Sequence, residues 1–385
     1  MFILEALRAK HGDALLLHYG TEANPRLAVI DGGPGGVYAD ALRPRLMAIR
    51  EERELDKETP LPIDFMMVSH LDADHITGIL ELMRKLRDLQ QAKKPVPWEI
   101  ETFWHNAFDD LTGNDDLAVG TASSALSTAS VGEFLRLEGS NMLASVGQGR
   151  ELRDLVKFFK LDGNAPFGGI VKTPHAPVKF GPLELTVLGP DQQNLETLQA
   201  DWNKKIKELL KKPSKAAKAE VAAYLDKSAY NLSSIVVLAK ADKKTMLLTG
   251  DARGDFTLAA LRNTGLLKDN GKPFQVDLLK LPHHGSDRNV DNDYFTSIRA
   301  KHYVISADGK YTNPDVPTLE MITKSRKDDD FTIWLANAPS DFADDAVGDE
   351  VARFFATESR KRNYKVRYRD TDELSIQVDV TKDEH

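Results

Sequence analysis

The chain has 385 residues, 41% apolar and 29% charged, with a formal net charge of −8. That is the make-up of a soluble globular protein with room for one large α/β domain or two smaller ones, and its acidity excludes nucleic-acid binding driven by overall charge. It contains no cysteine, which excludes disulfides, thiolate nucleophiles and Cys-based zinc sites, so any metal must be held by histidine and carboxylate.

The first residues, Met1-Phe2-Ile3-Leu4-Glu5-Ala6, carry no basic stretch and no long apolar run. No signal peptide and no membrane span are expected, and the cytoplasm is the expected location. Apolar runs predict strands over 2–7 and 14–19, paired as a hairpin, and a third over 26–30. The third ends in Asp31-Gly32-Gly33-Pro34-Gly35-Gly36. No lysine follows at P-loop spacing and no GxGxxG pattern is present, so this is not a nucleotide-phosphate loop. It reads instead as a tight turn that brings Asp31 behind metal ligands as their hydrogen-bond partner.

A helix is predicted over 39–52, then a buried strand over 63–68. Next comes the most informative stretch, Ser69-His70-Leu71-Asp72-Ala73-Asp74-His75, followed by a helix over 76–89. Four metal-capable side chains within six residues at a strand-to-helix turn are the pattern of a metal site, where each ligand is a neutral imidazole or an anion. The competing reading is a polar turn with an Asp near a helix N-terminus.

A strand over 99–104 ends at His105. This lone His beside Trp104 is a candidate ligand or substrate contact, with a packed core histidine as the alternative. Residues 109–181 are rich in Gly, Ser, Thr, Asn and Asp, with a helix predicted over 149–160 and a strand over 183–188. A helical stretch over 195–225 has a lysine-rich centre that includes Lys211 and Lys212. It reads as a solvated face, or as a surface that steers a polyanionic substrate. Asn231, Ser233 and Ser234 introduce the next strand and are ordinary turn residues or partners of site loops.

Strands over 234–239 and 245–248 form a hairpin, and the second ends in Thr249-Gly250-Asp251. Asp251 is a helix N-cap or, given the other ligands, a carboxylate bridging two metals. A helix over 255–262 and a strand over 276–281 lead into Pro282-His283-His284-Gly285-Ser286. A paired His before Gly-Ser is unneeded in a turn and costly in a core, and Ser286 can donate to an anion. Strands over 303–306 and 331–335, helices over 318–324 and 345–360, and closing strands over 365–368 and 373–378 follow. His175 sits in a Pro-flanked loop and reads as structural or exposed. His11, in His11-Gly12-Asp13, is a candidate cleft residue, while His18, His302 and His385 read as structural.

On Asp31-Gly32-Gly33, Ser69-His70-Leu71-Asp72-Ala73-Asp74-His75, Thr249-Gly250-Asp251 and His283-His284-Gly285-Ser286, the chain resembles the metallo-β-lactamase fold superfamily. Its nearest likeness there is the branch related to the hydrolase domain of the bacterial DNA-uptake competence channel protein. The resemblance spans residues 1–310. It implies an α/β fold, an αββα sandwich of two mixed β-sheets flanked by helices. The whole chain is then one domain, with an insertion at about 109–230 and a closing helix and strands at about 340–380. It also implies a dinuclear site, with two Zn2+ per chain expected. His70 and Asp72 would hold one metal, Asp74 and His75 the other, and Asp251 would bridge them. One of His283 and His284 would be a ligand, the other free for substrate. The superfamily's commonest motif has His where this chain has Asp72, which makes the site harder and leaves Mn2+ as an alternative. Only His105 and His175 could stand for the superfamily's usual third His.

The expected activity is metal-dependent hydrolysis of an anionic substrate, a phosphodiester above all, with nucleic acid or a nucleotide as the candidate partner. Asp74, His284 and Ser286 are the expected catalytic groups, for orienting the attacking water and stabilising the leaving oxygen. The alternatives are an ester, lactone or β-lactam hydrolase, and a non-catalytic nucleotide- or protein-binding component with a degenerate metal site.

Overall fold

A computed structural model describes residues 1–106, 141–197, 200, 204, 233–326, 330–358 and 364–382, with side chains of residues 141–146 left aside. Nearly all of the lysine-rich stretch predicted over 195–225, including Lys211 and Lys212, lies outside the described residues, as do Asn231, His385 and much of the expected insertion.

The chain begins with β1 (Phe2–Leu7), β2 (Leu15–Thr21) and β3 (Asn24–Ile30), followed by α1 (Arg43–Glu52), β4 (Leu61–Met67), α2 (Ala73–Gln91) and β5 (Trp98–Trp104). Then come α3 (Asn141–Phe158), β6 (Asp162–Gly163), β7 (Val178–Phe180), β8 (Leu183–Gly189), β9 (Val236–Ala241) and β10 (Lys244–Leu248). The remainder is α4 (Gly254–Asn263), β11 (Phe274–Lys280), α5 (Asn292–Ser297), β12 (Ile298–Ile305), α6 (Val316–Ser325), β13 (Phe331–Leu335), α7 (Asp345–Glu358), β14 (Tyr364–Tyr368) and β15 (Ser375–Asp379). The helix expected over 149–160 starts eight residues earlier, at Asn141, and ends at Phe158.

Two mixed sheets result. One runs β15-β1-β2-β3-β4-β5-β6 and the other β14-β13-β12-β11-β10-β9-β8-β7. Alternation along each strand builds the layers. On β3, Leu27 and Val29 pack toward α1 and α2, while Ala28 and Ile30 face the second sheet. On β10, Leu247 packs toward α4, while Met246 and Leu248 face the first sheet. The fold is therefore an α/β sandwich of four layers, αββα, with one core between the sheets and one under each helical layer. Burying each such Leu, Ile or Met contributes roughly 1.5–3 kcal/mol. A one-residue slip would swap every face, so the register is strongly specified.

The turn after β3 fixes α2 at the edge of the first sheet. A Cβ on Gly78 would stand 1.9 Å from the Gly32 carbonyl oxygen, and one on Gly32 2.3 Å from the Ile79 nitrogen. Only glycines allow that approach. It is closed by backbone bonds from Gly32 N–H to His75 O (2.8 Å) and from Gly78 N–H to Gly33 O (2.9 Å). No helix among the described residues is long and apolar enough to cross a membrane.

Candidate metal centre

Three strand ends deliver the site. β4 is held in register between β3 and β5, Met67 pairing with both Ile30 and Trp104, and it releases the chain at Ser69-His70. Asp72 then caps α2, its Oδ1 accepting from Ala73 N–H (2.9 Å). In the second sheet, Leu248 pairs with Lys280 across parallel β10 and β11, so the loops carrying Asp251 and His283-His284 leave side by side. His283 N–H donates to the Gly250 carbonyl (3.1 Å), and Ile235 N–H to the Ser69 carbonyl (2.8 Å), which ties the two sheet edges together. His283 and His284 both have left-handed backbones, φ 48° and 56°. Each such residue costs on the order of 1–3 kcal/mol and persists only where the surroundings over-determine it.

Three imidazoles are held from behind through Nδ1. His75 Nδ1 donates to Asp31 Oδ2 (2.9 Å). Ser69 Oγ donates to that same oxygen (2.7 Å) and lies 3.1 Å from His70 Nδ1. His284 Nδ1 donates to the Ser306 carbonyl (2.9 Å). With Nδ1 engaged, Nε2 is the nitrogen left to meet the centre, which is how outlying partners orient histidine ligands.

Those Nε2 atoms surround Asp251. Its Oδ2 lies 3.5 Å from His70 and 3.8 Å from His283. Its Oδ1 lies 3.3 Å from His75 and 3.7 Å from His284. Asp74 adds its own oxygens, 3.3 Å from His284 Nε2 and 3.9 Å from His75 Nε2. Asp72 joins His70 and Asp74 in a cluster whose ligand atoms lie within 4.8 Å of one another. His70, His75 and Asp251 form a second such cluster, and Asp13, His75 and His284 a third.

Charge in this pocket is tightly coupled. Burial disfavours a charged His75, but Asp251, Asp74 and Asp31 outweigh it and hold the imidazole well above the ordinary range. His284 is pushed up to about 10 in the same way, burial being overcome by Asp251 and Asp13. His70 is lowered to about 4 by burial and by the neighbouring His75. Burial would raise Asp251 and Asp74, yet the histidines hold Asp251 well below the usual carboxylate range and Asp74 at about 2. Asp72, buried and beside Asp74, rises to about 7. Carboxylates packed this way require positive charge, which protons on His75 and His284 or a divalent cation can supply.

Two expected residues stand apart. His105 is buried behind β5, edge-on to Phe103 (5.5 Å), in none of the three ligand clusters. Its Nδ1 and Nε2 have no hydrogen-bond partner among the described residues, and its pKa is lowered to about 4 by burial and by Arg153. Ser286 Oγ reaches Asp315 Oδ2 (3.4 Å) rather than any clustered ligand atom. His175 packs against Phe167, ring centroids 4.3 Å apart and planes tilted by 44°. His18 pairs with Glu5, and His302 Nδ1 accepts from Trp334 Nε1–H (3.1 Å), both structural as expected.

The pair that sequence reasoning missed is Asp13 and Lys280. Lys280 Nζ, 1% exposed, donates to Asp13 Oδ2 (2.7 Å), and Asp13 Oδ1 lies 3.4 Å from His284 Nδ1. Lys280 sits in an otherwise apolar strand just before the paired histidines, and a lysine in a fully buried run demands a carboxylate partner. That was a usable signal, although it does not say which carboxylate answers it.

The donor set fits a divalent cation. It offers imidazole nitrogens and carboxylate oxygens, no thiolate, and an Asp251 Oδ1 that is buried yet accepts no well-formed hydrogen bond among the described residues. No family model matches the chain, and no curated protein does. Among solved structures it is similar to the metallo-beta-lactamase fold protein YhfI from Bacillus subtilis, at 11% identity and a TM-score of 0.37, over 98% of this chain and 99% of that one.

Proposed function

We propose that the chain is a metal-dependent hydrolase that cleaves phosphodiesters with water. The observation that carries this reading is the placement of Asp251, whose two oxygens face two different histidine pairs, His70 with His283 and His75 with His284. A carboxylate so placed can share two cations. His70, Asp72 and Asp251 would hold one, and Asp74, His75, His284 and Asp251 the other. Cations held there would supply an activated water, its pKa lowered toward ~7, and would stabilise charge on the attacking and leaving oxygens.

The chain's own groups divide the remaining work. Asp74, with 19% of its side chain exposed, is the carboxylate that orients the attacking water and accepts its proton. His284 is spent on ligation. His283, 34% exposed at the rim, is the histidine free to protonate the leaving oxygen. Ser286 serves through Asp315, holding the loop that carries both histidines.

Purified protein loaded with Zn2+ or Mn2+ should hydrolyse at least one of single-stranded DNA, RNA and bis-p-nitrophenyl phosphate. Bound metal with no metal-dependent turnover on all three rejects the proposal. Turnover of nitrocefin or a lactone instead would move the reaction to an acyl centre.

A further inference from the structure

The rim of the centre carries an exposed aromatic that the fold does not need for its core. Tyr311 is 68% exposed, the most exposed of the large apolar side chains among the described residues. Its backbone is left-handed (φ 60°), as is that of Thr312 (φ 76°). A β-branched residue in that region is a genuine outlier and needs tethering.

Local bonds to Gly309 hold the turn, from Thr312 N–H to the Gly309 carbonyl (3.1 Å) and from Gly309 N–H to the Asn313 carbonyl (3.0 Å), and further tethers run toward the metal centre. Thr312 Oγ1 donates to Asp315 Oδ1 (2.8 Å), Asp315 N–H to the Gly285 carbonyl (3.2 Å), and Asn313 Nδ2 to the His283 carbonyl (3.3 Å). On its other side, the Tyr311 ring meets His11 edge-on, centroids 5.6 Å apart and planes at 86°. The residue after His11 packs on the ligand turn: a Cβ on Gly12 would stand 2.0 Å from the Asp74 carbonyl oxygen. Lys310 Nζ sits 4.9 Å from the centre of the Tyr311 ring. A flat ring is thus carried at the edge of the centre on a tethered backbone, with a cation over one face and the rest of the ring exposed.

We propose that Tyr311 is a stacking platform for the base of a nucleotide flanking the bond to be cut, with Lys310 placed for a neighbouring phosphate. Bases stack on aromatic rings irrespective of sequence, and an adjacent lysine adds a salt-dependent backbone contact. The chemistry recognised is a planar heterocycle tied to a phosphodiester, that is, single-stranded nucleic acid or a short oligonucleotide. This rests on the phosphodiesterase reading above.

The test compares a labelled single-stranded oligodeoxynucleotide with its fully abasic counterpart, using the metal-loaded full chain. Tyr311→Ala should raise KM for the base-bearing substrate about tenfold or more, with kcat little changed, and should leave the abasic substrate unaffected. Tyr311→Phe should retain the wild-type KM, and Lys310→Gln should flatten its salt dependence. Turnover with a KM indifferent to Tyr311→Ala, or an equal loss on both substrates, overturns the platform while the phosphodiesterase reading stands. Should neither substrate be cleaved, binding of the same oligonucleotides by fluorescence anisotropy decides. Base-dependent weakening by Tyr311→Ala sustains the platform and leaves only the hydrolytic reading rejected. Binding indifferent to Tyr311, or no binding, overturns the platform as well.

Discussion

Two buried clusters in this molecule combine histidine with carboxylate, and they are built differently. Around Glu5 in β1, His18 Nε2 lies 2.6 Å from one oxygen, Arg45 Nε donates to the other at 2.6 Å, and Ser375 completes the set. Every group meets a partner at hydrogen-bond length. Around Asp251, four imidazole nitrogens stand 3.3–3.8 Å away. Two of them, on His75 and His284, face each other at 3.3 Å. The first arrangement is complete in itself and holds β1, β2 and β15 to α1. The second points several donors at shared positions, which is the geometry of ligands. Residue type alone does not separate the two; distance and direction do.

The sharpest way to break this contrast is to delete each central carboxylate. Asp251→Ala should abolish hydrolysis and strip most bound metal, with the circular dichroism spectrum retained, because no neighbour can span both histidine pairs. Metal analysis showing full occupancy in that variant would erase the distinction. Glu5→Ala should do the reverse. It leaves Arg45 and His18 facing an uncompensated site and should lower unfolding free energy by about 3–5 kcal/mol in urea titrations, as for other broken buried pairs, with metal content unchanged.

Acid sharpens the same point. Burial opposes ionisation of Glu5, but His18 and Arg45 hold its carboxyl at about 2, against an ordinary 4.5. A depressed carboxyl adds stability that is complete above the unfolded value and lost as pH falls through the folded one. The stability gap between wild type and Glu5→Gln should therefore shrink by about 3 kcal/mol between pH 4.5 and 2. A gap that stays constant over that range would mean that Glu5 acts through packing alone. The smallest effect concerns the support behind the ligands. Asp31→Asn keeps the shape but loses the anionic acceptor for His75 and Ser69, and should weaken metal affinity about 10- to 100-fold in chelator competition. Unchanged affinity would show that the turn alone sets the His75 ring.

Much of this was legible in the chain itself. The order of strands and helices was legible because strands buried on both faces read as short continuous apolar runs, set apart from the longer 3.6-residue periodicity of the helices. Asp31 could be placed behind the ligands because Gly32 and Gly33 leave a tight turn little other use. The histidine at position 284, rather than 283, facing Asp74 was not legible, since it depends on two consecutive left-handed residues. Nor was the Asp13–Lys280 pair, whose members lie 267 residues apart and meet only when the sheets stack. The Glu5–His18 pair is set by the cross-strand register of β1 and β2, which sequence periodicity places only to within a residue or two.

The central claim is that Asp251 stands between two cation positions, each with its own histidines. Anomalous diffraction from crystals grown with Zn2+ or Mn2+ tests it directly. Two peaks about 3.5–4 Å apart are expected, one against His70 and Asp251 Oδ2, the other against His75, His284 and Asp251 Oδ1. A metal-saturated crystal with no peak beside Asp251, or with His70, His75 and His284 turned away from it, would contradict the account.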